Sequence, residues 1–170
     1  NESDNIEPFY QRLVKIFKEE LSDYDYEIIV VDDNSTDSSS KILKKISDND
    51  DSFKLIFNAR NYGVHVSTFN AIKYVKGDAL IPMLPVDMQD TPEIIIDFVK
   101  KWEEGFDIVY GIKKNREENF FLKCSRNIYY NLVTKISNVN IPPYVGEFQL
   151  LDKKIYQELL NFDDYYPYTR

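Results

Sequence analysis

Apolar positions at the start of the chain fall at helical spacing. Ile6, Phe9, Leu13, Ile16 and Phe17 lie on one face of a helix predicted from about Pro8 to Leu21, with Pro8 in its first turn. The period then changes. Glu27-Ile28-Ile29-Val30-Val31 is a continuous β-branched run of strand length, as expected where helices cover both faces of a parallel sheet. Asp32-Asp33-Asn34-Ser35-Thr36-Asp37 is a polar turn offering several N-caps to a helix through Ile42, Leu43 and Ile46. Phe53 to Phe57 reads as a second strand, and Val64 to Val75 as a helix ending near Gly77. Ala79 to Leu84 is a third apolar run. Pro82 removes a ladder donor there, which a strand end tolerates once its neighbour has stopped. Thr91-Pro92-Glu93 has the form of an N-cap with proline at the first helical position. Ile95, Phe98, Val99 and Trp102 follow as one stripe until Gly105, and Asp107 to Tyr110 is a short fourth strand. Beyond Gly111 the rhythm breaks. Strands alternating with helices predict a single α/β layered domain over residues 1–170, built on a mainly parallel sheet.

Composition narrows the partners. The 170 residues carry a net charge of −8, which argues against a general nucleic-acid binder. No apolar run approaches the roughly 18 residues of a membrane span. One cysteine, Cys124, excludes an internal disulfide, and one histidine, His65, excludes a zinc site built from His and Cys. His65 reads as a hydrogen-bonding residue on a helix face. The charge is uneven: from Ile112 to Lys135 six basic residues, Lys113, Lys114, Arg116, Lys123, Arg126 and Lys135, stand against Glu117 and Glu118. A basic segment in an acidic chain suits a local anionic partner such as a phosphate or a lipid surface, or is a solvated loop. Within it, Asn119 to Lys135 mixes Phe120, Phe121, Tyr129 and Tyr130 with cations. That composition suits a helix lying on a membrane as well as one packed on its own domain.

In open parallel sheets, ligands gather beyond the carboxyl ends of the strands. Two strands deliver acidic clusters to that edge: Asp32-Asp33 after Val31, and Asp87 to Asp90 after Leu84. Hard divalent cations take oxygen ligands, often one or two carboxylates plus substrate phosphates. Asp87 and Gln89, two apart in an extended segment, can face one ion, which leaves Asp90 for helix capping. The layout admits a nucleotide-sugar transferase, a phospho-accepting receiver-like signalling domain, or a non-catalytic α/β binding module whose acidic turns are only caps. A receiver carries its acidic pair after a strand that opens the chain and a lysine at the end of a late strand. Here a helix precedes the pair and the fourth strand ends Tyr110-Gly111.

Four segments, "EIIVVDDNSTDSS" (27–39), "NARNYGVHVSTFNAIKYVKGDAL" (58–80), "VDMQDTPEII" (86–95) and "VGEFQLLDKK" (145–154), resemble in this order family 2 glycosyltransferases of the GT-A fold. Among them the chain is most similar to the polyprenyl-phosphate sugar transferases, the dolichol-phosphate mannosyltransferase-like branch. The resemblance implies a Rossmann-like three-layer sandwich. Asn1-Glu2 resembles the tail of the family's opening Pro-x-Tyr-Asn-Glu motif, so the first strand is expected upstream of residue 1.

The same resemblance implies roles. Asp33, with Asp32, would accept hydrogen bonds from the nucleotide base, and Glu2 would lie beside the nucleotide. Asp87 matches the last Asp of the Asp-x-Asp metal motif. With Gln89 it would hold Mg²⁺ or Mn²⁺ on the donor's diphosphate. Pro85 replaces the first Asp of that motif, and Phe148-Gln149-Leu150 replaces a Phe-Arg-Leu, so one carboxylate and one acceptor-side cation are lost. Lys113, Arg126 and Arg170 match phosphate- and acceptor-binding cations. The implied chemistry is an inverting, metal-dependent displacement moving a sugar from a nucleotide-sugar donor to a polyprenyl phosphate or a glycan in cell-envelope polysaccharide synthesis. It would take place in the cytoplasm at the inner face of the membrane. A glycan hydroxyl needs a general base, and Glu147 is the candidate; a polyprenyl phosphate is already anionic. Homo-oligomers are left open.

Overall fold

The computed structural model describes residues 1–87, 91–112 and 145–161, the side chains of 145–147 excepted. The chain divides into two compact units, Asn1–Val109 with Phe148–Arg170, and Tyr110–Glu147. The architecture below belongs to the first. In the second, the described residues are the ends of two strands.

Helix α1 (Ser3–Glu19) starts five residues before the predicted boundary and leaves Pro8 inside it. Proline has no N–H, so the ladder gives up its bond to the Asp4 carbonyl. The longer helix brings Ile6 onto the same buried face as Phe9, Leu13 and Ile16, and burial of that extra side chain offsets the missing bond. Strand β1 (Ile28–Asp32) pairs in parallel with β2 (Phe53–Phe57), Ile28 facing Phe53 and Asp32 facing Phe57. Ile28 to Val31 are half-buried rather than covered on both faces; β2 is the one strand neighbour of β1 among the described residues. Helix α2 (Ser39–Ser47) lies between these strands in sequence and packs Leu43 and Ile46 against Ile6 and Phe53.

Helix α3 (Val64–Ile72) leads to β3, which is only Ala79–Leu80. The apolar run through Leu84 therefore does not continue as strand: Pro82 and Pro85 lack the donors a ladder needs. Helix α4 (Ile94–Glu103) begins later than the Thr91-Pro92 grammar predicts. Thr91, Pro92 and Glu93 instead form a tight lead-in turn, their carbonyls accepting the amides of Ile94, Ile95 and Ile96 at 3.0–3.2 Å. At the other end Gly105, at φ +96, closes the helix by donating to the Trp102 carbonyl at 2.9 Å.

After β4 (Ile108–Ile112), strand β5 (Val145–Asp152) and helix α5 (Lys153–Leu159) complete the described elements. The strand order in this sheet is β3-β5-β4, and β5 runs antiparallel to β3 with Leu80 opposite Leu151. Parallel pairing thus holds for β1 and β2, while β5 enters in the opposite sense. Phe148 and Leu150 on one face of β5 pack with Phe9, Leu13 and Ile16 of α1 and Ile95, Phe98 and Val99 of α4. Leu151, on the other face, packs with Ile72 of α3 and Tyr156 of α5. Helices cover both faces of β5, the layered arrangement the alternation predicts.

Candidate active site

Asp32, the last residue of β1, and Asp33, the next, divide their work. Asp32, 4% exposed, is turned inward: one oxygen accepts the Ser35 amide at 3.0 Å and the other the Ser40 hydroxyl. Burial opposes its charge, but these donors outweigh it and hold the carboxyl below its ordinary value. Asn34, between Asp33 and Ser35, adopts φ +64, a left-handed conformation that asparagine tolerates better than most side chains.

Asp33 reaches across to the loop after β2. Its Oδ1 accepts Asn58 Nδ2 at 2.7 Å and the Tyr62 amide at 2.9 Å, and its Oδ2 accepts the Gly63 amide at 2.8 Å. Burial again works against the charge; the Tyr62 amide, the Asn58 side chain, the Gly63 amide and the Ser67 hydroxyl outweigh it and keep the pKa lowered. Gly63 sits at φ +84 immediately before α3, with open space where a Cβ would stand. Backbone conformation, not crowding, selects glycine there. The loop so held carries Arg60, whose guanidinium lies 4.7 Å from the centre of the Tyr62 ring. Both side chains are exposed at the carboxyl edge of β1 and β2.

Residues 1–3 close over the Asp32 turn. Thr36 N donates to Asn1 Oδ1 at 2.8 Å, Glu2 N to Ser39 Oγ at 3.1 Å, and Ser3 N to Asp37 Oδ2 at 3.3 Å. Asp37 also accepts the Ser39 amide at 3.0 Å, capping α2 from just outside it, and its pKa falls to about 2 through the Ser39 bonds. Glu2, Asp32 and Asp33 are therefore brought to one edge. The Glu2 carboxylate accepts Asn5 Nδ2 at 2.7 Å.

Asp87 is exposed in the turn that follows β3. The preceding Val86 packs against both the α1–α4 cluster and the α1–α2 cluster, which anchors the loop. Among the described residues no group of three His, Cys, Asp or Glu side chains gathers to hold a metal. Gln89, Asp90, Lys113, Arg126, Arg170, Cys124 and the amphipathic segment 119–135 lie outside the described residues, as does the Glu147 side chain. His65 falls in the first turn of α3, half-buried. Phe148 and Leu150 are buried core residues, with Gln149 half-buried between them.

Asn58, Gly63 and Ser67 are not marked as site residues by the sequence pattern. Ser67 is 5% exposed and its hydroxyl accepts the second hydrogen of Asn58 Nδ2 at 2.9 Å. The signal that can find them is the pairing of β1 with β2, which sets residue 58 beside residues 32 and 33; spacing along the chain does not carry it.

The described elements are α/β, and one buried and one half-buried aspartate stand at the carboxyl edge of the parallel β1–β2 pair, the edge where open α/β sheets gather ligands. Residues 1–160 match the family model described as glycosyl transferase family 2. The chain is 32% identical to the protein named uncharacterized glycosyltransferase YkcC of Bacillus subtilis (strain 168), across 100% of this chain and 52% of that protein. It is 34% identical to uncharacterized glycosyltransferase sll0501 of Synechocystis, over 91% of this chain and 48% of that one. With the prophage bactoprenol glucosyl transferase homolog of Escherichia coli (strain K12) it shares 32% identity, over 94% and 51%. The chain belongs to glycosyl transferase family 2, and with it to the GT-A fold. It spans about half the length of the curated relatives it matches. No helix among the described residues is long and apolar enough to cross a membrane.

Proposed function

We propose that this domain transfers a sugar, with inversion, from a nucleotide-sugar donor to a polyprenyl phosphate in the building of cell-envelope polysaccharide. The observation that carries the reading is the Asp33 carboxylate, ionised and held at the carboxyl edge of β1 in a family 2 chain. The acceptor class is supported by relatives named bactoprenol glucosyl transferase. In the step, an acceptor phosphate oxygen attacks the anomeric carbon as the bond from that carbon to the diphosphate oxygen breaks. The acceptor is anionic, so no strong base is needed; a glycan hydroxyl would call on Glu147. Asp33 and Glu2 bind the nucleotide, with Asp32 shaping the turn that presents Asp33. Lys113, Arg126 and Arg170 serve the phosphates.

Asp87 and Gln89 supply hard oxygen donors of the kind Mg²⁺ and Mn²⁺ prefer, so the donor set fits such an ion. A bound cation would stabilise the charge that develops on the departing nucleoside diphosphate. Pro85 leaves this set one carboxylate short. That favours as second reading a domain that binds nucleotide without turning it over. The two separate in one assay: transfer of radiolabelled glucose from nucleotide-glucose donors to polyprenyl phosphate in detergent, with Mn²⁺ or with chelator. Transfer lost in chelator and in Asp87→Ala supports the enzyme. Nucleotide binding without transfer from any donor supports the binding module. The membrane-facing role of 119–135 is tested by flotation of the protein on vesicles with and without anionic lipid; no binding to either would remove it.

A further inference from the structure

The geometry points to Asn58 as a positioning residue of the nucleotide site, one that fixes which acceptor edge of Asp33 a ligand meets. This rests on the reading of Asp33 as the group that contacts the nucleotide base. A carboxylate oxygen offers about two acceptor directions. Both directions of Asp33 Oδ1 are taken, by Asn58 Nδ2 at 2.7 Å and the Tyr62 amide at 2.9 Å. One direction of Oδ2 is taken by the Gly63 amide at 2.8 Å. The Ser67 hydroxyl also acts on this carboxylate as a donor, so what is left for a ligand's N–H or O–H is narrow and its direction is set by these neighbours.

What sets that direction is the rotation of the carboxylate, and Asn58 is built to hold it. Its backbone amide donates to the Asp32 carbonyl at 2.9 Å, which continues the β1–β2 ladder one residue past β2. Its side-chain amide spends one hydrogen on Asp33 and the other on Ser67 Oγ at 2.9 Å. Ser67 is buried in α3, and its own amide donates to the Gly63 carbonyl at 3.1 Å. Asn58 thus ties the ends of two strands to the first turn of a helix, with the Asp33 carboxylate at the junction. Without it, Oδ1 regains a free direction and the carboxylate can turn to meet a base in more than one way.

Loss of a fixed acceptor weakens discrimination between bases more than it weakens binding as a whole, because diphosphate contacts are shared by every nucleotide. The net contribution of one well-placed hydrogen bond corresponds to about tenfold in affinity. The test is calorimetric titration of the protein with UDP, GDP, ADP and CDP, reading the ratio of affinities between the best and the worst. In Asn58→Ala the ratio is expected to fall about tenfold, with a smaller fall, about threefold, in Ser67→Ala. An equal loss for all four nucleotides, or an unchanged ratio, overturns the inference and leaves Asn58 a structural residue. If Asn58→Ala does not fold, Ser67→Ala decides, and an unchanged ratio there overturns it as well. Should the unsubstituted protein bind none of the four, it is the nucleotide reading itself that fails.

Discussion

At the scale of single residues, the polar groups around the sheet edge are paired with little to spare, and the consequences are specific. Asn34 holds φ +64, so the substitution that matters there is one of backbone preference. Asn34→Gly is expected to leave stability unchanged within a few tenths of a kcal/mol, whereas Asn34→Val costs about 1–2 kcal/mol in urea unfolding. Equal midpoints for the two variants would contradict this. Tyr10 donates to Asp50 Oδ2 at 2.6 Å, and that bond, followed by burial, pushes the phenol up to about 12 from an ordinary 10.0. A pKa raised by folding adds stability that is complete below the unfolded value and lost as pH climbs through the folded one. The melting-temperature gap between the protein and Tyr10→Phe should therefore hold steady up to pH 10 and close between there and about 12. A gap that persists above that window would assign it to packing instead. The candidate site was legible at this scale where a residue acts through its own chain neighbours. Asp32 and Asp33 follow an apolar strand and can be marked from spacing. Asn58 and Ser67 act across a strand pairing, and spacing cannot mark them.

Among the elements, buried contact and surface charge make a clean contrast along α4. Phe98, 4% exposed, meets Phe148 of β5 with ring centres 5.2 Å apart. Just before α4, Glu93 is gripped by Arg12 of α1 through two bonds of 2.5 and 2.6 Å, yet both side chains are more than a third exposed. Phe98→Ala is expected to cost about 3–5 kcal/mol. Arg12→Ala is expected to cost less than about 1 kcal/mol, since solvent screens the pair and two long side chains must be immobilised. Chemical denaturation of the two variants checks the order, and a larger loss in Arg12→Ala would refute it. The amphipathic stripes of α1 and α4 could be read from periodicity because 3.6-residue spacing survives any error in the boundaries. The boundaries themselves could not. Burial of Ile6 carried α1 past Pro8, and Thr91-Pro92 became a lead-in turn when the carbonyls there bonded at three-residue spacing. Strand β5 was not foreseen at all. Its inward residues Phe148, Leu150 and Leu151 serve both faces, so no simple alternation marks it, and its partner β3 is only two residues long.

For the whole molecule, the three core clusters meet on a frame that ties nearly every described element to another. The α1 helix contributes to two clusters, β5 to two, and the Asp33 junction joins β1, β2 and α3. The α/β class was legible because alternation of strand and helix is a property of the entire chain, and no single misplaced boundary changes it. The antiparallel pairing of β5 with β3 joins residues far apart in the chain, Leu80 with Leu151, which local patterning does not encode. On such a frame a ligand bound at the sheet edge stabilises more than its own loop: the strands and helix that meet there unfold with the core. Binding at a hundredfold excess over the dissociation constant adds about 2.7 kcal/mol. For a chain of 170 residues this corresponds to a rise in melting temperature of roughly 5–10 °C. The preferred nucleoside diphosphate with Mn²⁺ is expected to produce that rise. Each variant must be compared with its own ligand-free melt, because Asp33→Ala also releases Asn58, Tyr62 and Gly63 and lowers the baseline. On that comparison Asp33→Ala should lose most of the rise. Asp87→Ala should keep a smaller rise that no longer responds to Mn²⁺. A full rise in Asp33→Ala would place the nucleotide elsewhere on the molecule, and a metal response retained in Asp87→Ala would move the cation away from the loop anchored by Val86.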